Sequence, residues 1–400
     1  MAVLTFQDLL FEQEKQGIKV NFLGLFCFCL EKEDIKNIAK FSINKNSITF
    51  EDISEQKANK KFNFLLAKGF QNLKNKLTNK RTVYIHQNSG IPLIGHNAFG
   101  LIDRNTSIIE VRAITGCNLN CIYCSVAQGL RPVDFVVEKD YLVKEFKKLV
   151  EFKGIDNIEA HIGTQGEPLL YQPLPELIKD LSLIPEVSII ALDTNGTLLT
   201  KNKADELVNA GLTRFCFSIN SLDQDLAEKI AGCPYNLKHI TDILKYISKK
   251  DCELILTPIW IPGINDKEIP KLIELSKELG CSIGIQNFLN YRFGKNPAKQ
   301  MSWELFIKKM KELENQYKIK LLFDFKQDFN VRPARSLPKP FKKGEIIKTK
   351  IALPGRLKNE KLAIAEQRII SIPGCSAEIG QKVNLKITRT KHNIFAAALI

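Results

Sequence analysis

No stretch of this chain approaches the roughly 18 consecutive apolar residues that a helix needs to cross a bilayer. The nearest run is Phe22–Leu30 (FLGLFCFCL), which is short and follows Glu12 and Glu14 where a secretory leader would carry basic residues. It reads as a buried strand or helix. Ten cysteines in 400 residues are too few for a secreted disulfide scaffold. Without a leader the chain is expected in the reducing cytoplasm, away from membranes, where clustered cysteines suggest metal or redox chemistry. Hydrophobic residues at 44% and charged residues at 26% exclude disordered, collagen-like and coiled-coil classes.

What is present is unevenly charged. The net charge is +14. Residues 332–400 hold 15 Lys or Arg against four Asp or Glu, a net of +11. Residues 56–81 hold eight basic residues and no acidic one. The remainder is therefore about −5. A near-neutral body with two basic segments suggests a polyanionic partner, although a Lys-rich solvated face explains 56–81 equally simply.

Three regions separate along the chain. Residues 1–105 are mixed and form an N-terminal α+β extension. Residues 106–320 alternate strand and helix patterns. Residues 321–339 are expected to form a linker, overlapping the proline-rich join Val331 to Lys343 (VRPARSLPKPFKK). Residues 340–400 are strand-like and basic. In the middle region, β-branched runs at Ile108–Ile114, Ile158–Ile162, Val187–Leu192, Arg214–Ile219, Glu253–Ile259 and Ser282–Ile285 alternate with helical stripes. Such alternation predicts βαβ units and a parallel sheet. Six units are too few for a closed eight-stranded barrel. A six-unit partial barrel and a doubly wound sheet both fit, with the chemistry at the C-terminal ends of the strands.

The loop after the first strand is Gly116-Cys117-Asn118-Leu119-Asn120-Cys121-Ile122-Tyr123-Cys124, a C-x3-C-x2-C spacing. Three thiolates on one short loop can wrap one metal centre. A fourth cysteine at matching spacing would close the coordination shell, as in a structural zinc or iron–sulfur site, and none follows. The other cysteines, among them Cys216, Cys252 and Cys281 in strand-like runs, show no second ligand cluster.

This segment resembles the signature of radical S-adenosylmethionine (radical SAM) enzymes, with an aromatic before the last cysteine. The resemblance implies a 4Fe-4S cluster on Cys117, Cys121 and Cys124. In that family SAM binds the open iron and is cleaved to a 5′-deoxyadenosyl radical. Gly163 to Pro168 (GTQGEP) is similar to the family's GGE(P) motif, with Gln165 in place of a glycine. Asp193-Thr194-Asn195-Gly196 matches its TNG turn, Ser218 to Asp223 (SINSLD) its fourth-strand segment, and Pro258 to Asp266 (PIWIPGIND) the segment against adenine. The implied SAM contacts are Tyr123, Gly166, Glu167, Asn195, Ser218 and Asn220. The resemblance covers residues 106–290, in the branch that includes the molybdenum-cofactor cyclisation enzyme. It implies a partial (β/α)6 TIM-like barrel and an electron donor such as ferredoxin or flavodoxin. His161, Gln165, Asn287, Tyr291 and Arg292 are further candidates to face a substrate.

From Lys343 five short strands in about 60 residues predict a small OB-like β-barrel. Basic and apolar residues alternate through Lys382–Arg389 (KVNLKITR), giving one cationic face. Gly380 to Ala396 resembles the ending of a TRAM domain, a module that accompanies tRNA-modifying enzymes. This implies RNA contacts from Lys382, Lys386, Arg389 and Lys391, and base stacking on Phe395. The reading is a radical SAM enzyme modifying tRNA or other RNA, with the barrel separable from the radical chemistry. The alternatives are a radical SAM enzyme acting on a small-molecule precursor in cofactor biosynthesis, and a non-catalytic RNA-binding protein with a structural metal.

Overall fold

A computed structural model describes residues 1–163 and 165–400; Thr164, within the GTQGEP segment, lies outside the described residues. The middle region folds around a seven-stranded sheet. Its order is Ser282–Ile283, Glu253–Leu256, Arg214–Phe217, Val187–Thr194, Ile158–Ile162, Ile108–Arg112 and Gly100–Asp103. The first six run parallel, and Gly100–Asp103 pairs antiparallel at the edge. Helices connect successive parallel strands. Arg214–Phe217 is buried at every residue, as a strand covered on both faces should be. Four helix N-termini are fixed by side chains that accept from the first turn: Thr200, Asp223, Asn236 and Ser302. The six expected strands are all present, and their C-terminal ends gather the motif loops on one rim.

The N-terminal extension is α+β. A six-stranded sheet, a three-stranded sheet and the helix Glu55–Phe70 enclose an aromatic core in which Phe62 packs against Phe6, Phe11 and Phe50. The boundary expected at residue 105 is crossed in both directions. Gly100–Asp103 completes the edge of the middle sheet, while Val133–Val137 pairs in parallel with Arg81–Ile85 in the extension's sheet. Each region supplies a strand that satisfies the other's open edge.

Residues 346–399 form a closed five-stranded barrel in the order Ile346–Pro354, Lys361–Ala365, Arg368–Ile372, Phe395–Leu399, Lys382–Arg389. It has its own core, including Ile351, Ile370, Leu385 and Phe395. The segment expected as a linker is docked instead. Ser107 donates its backbone N–H to the Arg332 carbonyl at 2.8 Å, Ala334 donates to Asn105 at 2.9 Å, and Arg335 lies over the Phe152 ring. The barrel is docked as well. Ile369 and Phe395 donate backbone N–H groups to the Ile94 and Gly95 carbonyls at 2.9 and 3.0 Å. Gly95 has φ +123°, and a Cβ there would lie 2.3 Å from the Ile369 carbonyl oxygen, so only glycine lets the two chains meet.

Candidate active site

The cysteine loop leaves the first parallel strand and is tied down along its length. Asn120 and Ile122 donate backbone N–H groups to Ala231 and Ile230. Lys295 reaches the Asn120 carbonyl at 2.6 Å, and its own N–H donates to the Cys124 carbonyl at 2.9 Å. The three thiols line one cleft of about 490 Å³. Burial, above all, pushes the Cys117 thiol up and the Cys121 thiol to about 12, so both are neutral until a cation drives off their protons.

Among the described residues, no three His, Cys, Asp or Glu side chains gather tightly enough to hold one metal ion. Three thiols on one loop lining one cleft are the donor set of an iron–sulfur cluster that keeps one position for a further ligand.

Tyr123, Gly166, Glu167, Asn195 and Ser218 line the same cleft; Asn220 lines a small recess beside it with Tyr123, Asn195 and Ser218. The side chain of Asn220 donates to the Tyr123 hydroxyl at 3.0 Å and accepts from the Ile259 N–H at 2.8 Å. Gly166 passes so close to Gly116 that a Cβ would lie 2.1 Å from its carbonyl oxygen. Glu167 is buried and accepts three hydrogen bonds: from the Leu169 N–H (3.1 Å), the Thr194 hydroxyl (2.7 Å) and the Asn195 N–H (2.9 Å). Burial raises its pKa to about 7 against the pull of those donors. The side chain of Asn195 bridges Asn118 of the cysteine loop at 3.1 Å and accepts from Thr197 at 2.6 Å. Buried Asn287 also lines the cleft; its amide nitrogen donates to the Met301 carbonyl, while its side-chain oxygen has no partner among the described residues. A ligand donor would complete it, so the residues present fit an organic cofactor beside a cluster.

The model of the radical SAM superfamily matches residues 111–276. An uncharacterized protein of Methanocaldococcus jannaschii is 41% identical over 362 residues, covering 82% of this chain and 83% of that one. The chain belongs to the radical SAM superfamily. A GTP 3′,8-cyclase of Listeria welshimeri is 33% identical over 185 residues, 46% of this chain; the chain spans about half the length of that relative, 53%. A solved structure of Streptococcus suis SuiB bound to S-adenosylmethionine aligns with a TM-score of 0.44 at 14% identity, over 80% of this chain and 71% of that one. The radical SAM family works with a 4Fe-4S cluster and SAM.

Below the cysteine-lined cleft of this radical SAM core, a chain of ion pairs crosses three strands. Asp193 meets His161 Nε2 at 3.0 Å, His161 Nδ1 meets Glu159 at 2.8 Å, and Glu159 meets Arg214 at 2.7 Å. Burial alone would depress the His161 pKa, but the Asp193 and Glu159 carboxylates outweigh it and push it to about 10. His161, expected at the mouth, therefore has both ring nitrogens committed to carboxylates, while Asp193 lines the cleft. Gln165 and Tyr291 line it too; Arg292 lines the neighbouring cleft.

Sequence reasoning missed the residue that joins barrel to core. Arg356, on the barrel turn after Pro354, is 2% exposed. It donates to Gln165 Oε1 (3.1 Å), the Gln165 carbonyl (2.8 Å), the Thr115 carbonyl (2.8 Å) and Gln128 Oε1 (2.9 Å). Burial pulls its pKa down to about 10. The partners are neutral acceptors on either side of the cysteine loop. Gln165, the departure from the family motif, is where the barrel takes hold.

The proposed RNA contacts divide. Lys382 and Lys386 are exposed on the outer face of their strand, and Lys382 pairs across to Lys350. Arg389 and Lys391 are exposed where that strand turns toward the core. Phe395 does not present a ring to a base: it is fully buried, edge-on to Phe341 with centroids 5.4 Å apart. Its alternation with Ala397 points it into the barrel, a parity that a one-residue reading of exposure overlooks.

Proposed function

We propose that this chain is a radical SAM enzyme that modifies RNA, with tRNA the leading substrate and an OB-like, TRAM-like barrel as its RNA-facing module. The observation that carries the reading is the buried Arg356 contact, which holds a cationic barrel against Thr115 at the start of the cysteine loop and Gln165 of the GGE-like motif. Lys350 and Lys382 are like charges directly paired across two strands and both exposed, an arrangement that a phosphate backbone relieves.

In this reading Cys117, Cys121 and Cys124 hold a 4Fe-4S cluster, and Gly166, Glu167, Asn195, Ser218, Asn220 and Tyr123 surround SAM. When bound, cluster and SAM supply a 5′-deoxyadenosyl radical, with the electron coming from a ferredoxin or flavodoxin. The chain's own residues position and enclose. Glu167, with three of about four acceptor positions taken, offers the remaining one to a ligand ammonium. It also ties the ends of the second and third parallel strands together. Asn195 and Asn118 hold the cysteine loop against the TNG turn.

A second reading is supported by the partial identity to GTP 3′,8-cyclase. There the substrate is a small nucleotide or similar precursor, and the barrel is a lid. Mass spectrometry of tRNA nucleosides from cells with and without the gene separates the two. A nucleoside mass that disappears with the gene supports RNA modification; identical profiles, with accumulation of a small-molecule precursor, support the second.

A further inference from the structure

A second cleft, of about 440 Å³, lies between core and barrel. It shares Ser125, Val126, Gln165 and Tyr291 with the cofactor cleft, so the two lie side by side. Four arginines line it: Arg131 and Arg292 from the core, Arg356 and Arg389 from the barrel. Two of them are engaged. Arg356 is bound as described, and Arg131 donates to the Val126 carbonyl and, at 2.7 Å, to the Phe293 carbonyl. The other two are exposed and have no carboxylate partner among the described residues. Arg389 makes one 3.4 Å contact with the Ile394 carbonyl, and Arg292 lies over the Phe293 ring. The acid in the lining, Glu360, is already occupied by the Ser371 hydroxyl and the Leu357 N–H, beside His96.

The positive charge continues outward from Arg389. Lys391, Lys339 and Arg104, the last already paired with Glu110, lie around His392 next to it; burial first, then these cations and Arg389, hold that imidazole below its ordinary value. Free guanidinium groups in a concave site repel one another until an anion enters, and their planar forks suit phosphate oxygens. A cleft of this volume takes a nucleoside-sized group.

We infer that this cleft seats a nucleoside phosphate, with its phosphate on Arg389 and Arg292 and its base or sugar passing Tyr291 and Gln165 toward the cofactor cleft. The inference deepens the function proposed above and rests on it for the choice of RNA. The chemistry is shared by a nucleotide within RNA and by a free nucleotide. The cationic groups beyond Arg389 favour RNA, because a single phosphate cannot reach them all.

The test is equilibrium binding by the full chain, at about 50 mM salt and above, of a fluorescent single-stranded RNA and of GTP. The variants are Arg389→Gln, Arg292→Gln and the Lys382→Gln/Lys386→Gln pair. Both arginines are exposed, and unchanged melting temperatures confirm folding. Each arginine variant is expected to weaken RNA binding about tenfold and to flatten the salt slope by about 0.7. GTP binding that falls about tenfold in the arginine variants, with RNA affinity unmoved, supports the cleft and overturns the RNA reading. RNA binding that is weakened only by the lysine pair overturns the cleft and leaves the RNA reading standing. Absence of binding by either ligand to the unaltered chain overturns both.

Discussion

Glu167 and Arg356 are two buried charges on either side of one loop, and they are held in opposite ways. Glu167 draws its three donors from its own turn, Leu169, and from the neighbouring strand end, Thr194 and Asn195. Arg356 arrives from a different domain, 191 residues along the chain from Gln165, and binds only neutral acceptors. The carboxylate is embedded in a local motif that a sequence displays. The guanidinium belongs to a docking geometry that no local pattern displays. A buried charge without a counter-charge is tolerated when hydrogen bonds replace it; Glu167 accepts three and the two terminal nitrogens of Arg356 donate four, so both act as braces. One braces the cofactor loop within the core, the other from the barrel.

The largest expected effects fall on the local side. Cys117→Ala, Cys121→Ala or Cys124→Ala should each abolish SAM cleavage and remove the complement of about four irons per chain, read by iron analysis after anaerobic reconstitution. Retained iron and cleavage in any one of them breaks the assignment of that thiol.

His161→Ala should destabilise the fold by about 1–3 kcal/mol in urea unfolding, because it removes a cation shared by buried Glu159, which keeps Arg214, and half-exposed Asp193. A change below about 1 kcal/mol would mean that water already separates those groups.

Glu167 should imprint a pH dependence on the apo protein. Its pKa is about 4.5 unfolded and about 7 folded, so the folded state holds the proton more tightly. That contribution is complete below pH 4.5 and is lost as pH rises to about 7, amounting to about 3 kcal/mol. Glu167→Gln should flatten the fall in urea midpoint between pH 5 and 7.5; an unchanged profile assigns it to other groups.

The smallest effect is expected on the barrel's outer face. Lys382→Gln with Lys386→Gln should reduce the slope of log RNA affinity against log salt by about 1.4, at about 0.7 per lost phosphate contact. No change in slope removes that face from the RNA path.

Much of the core was legible in the sequence because its signals are local. Strands such as Ile158–Ile162 and Arg214–Phe217 are short β-branched or aromatic runs between helical stripes, and the motifs lie at their ends. The barrel strands Lys361–Ala365 and Arg368–Ile372 were legible from alternation and turn residues. What was hidden is long-range. The exchange of Gly100–Asp103 and Val133–Val137 between sheets satisfies open edges that periodicity does not reveal. The docked 331–343 segment has a loop-like composition but uses its backbone groups on Ser107 and Asn105. Gln165 looked like a departure from a motif until Arg356 supplied its partner.

The sequence pattern also suggested that the barrel could be removed without touching the radical chemistry. The Arg356 contacts argue against that expectation, since removing them should loosen the Thr115 and Gln165 carbonyls beside the cysteine loop. The most direct measurement is reductant-driven SAM cleavage by reconstituted Arg356→Met, normalised to iron content. The account predicts normal iron and at least about tenfold slower cleavage, as expected when a brace worth about 1–3 kcal/mol is lost beside a positioned cofactor. Cleavage at the unaltered rate, with iron intact, would contradict it and return the barrel to the role of a separable module.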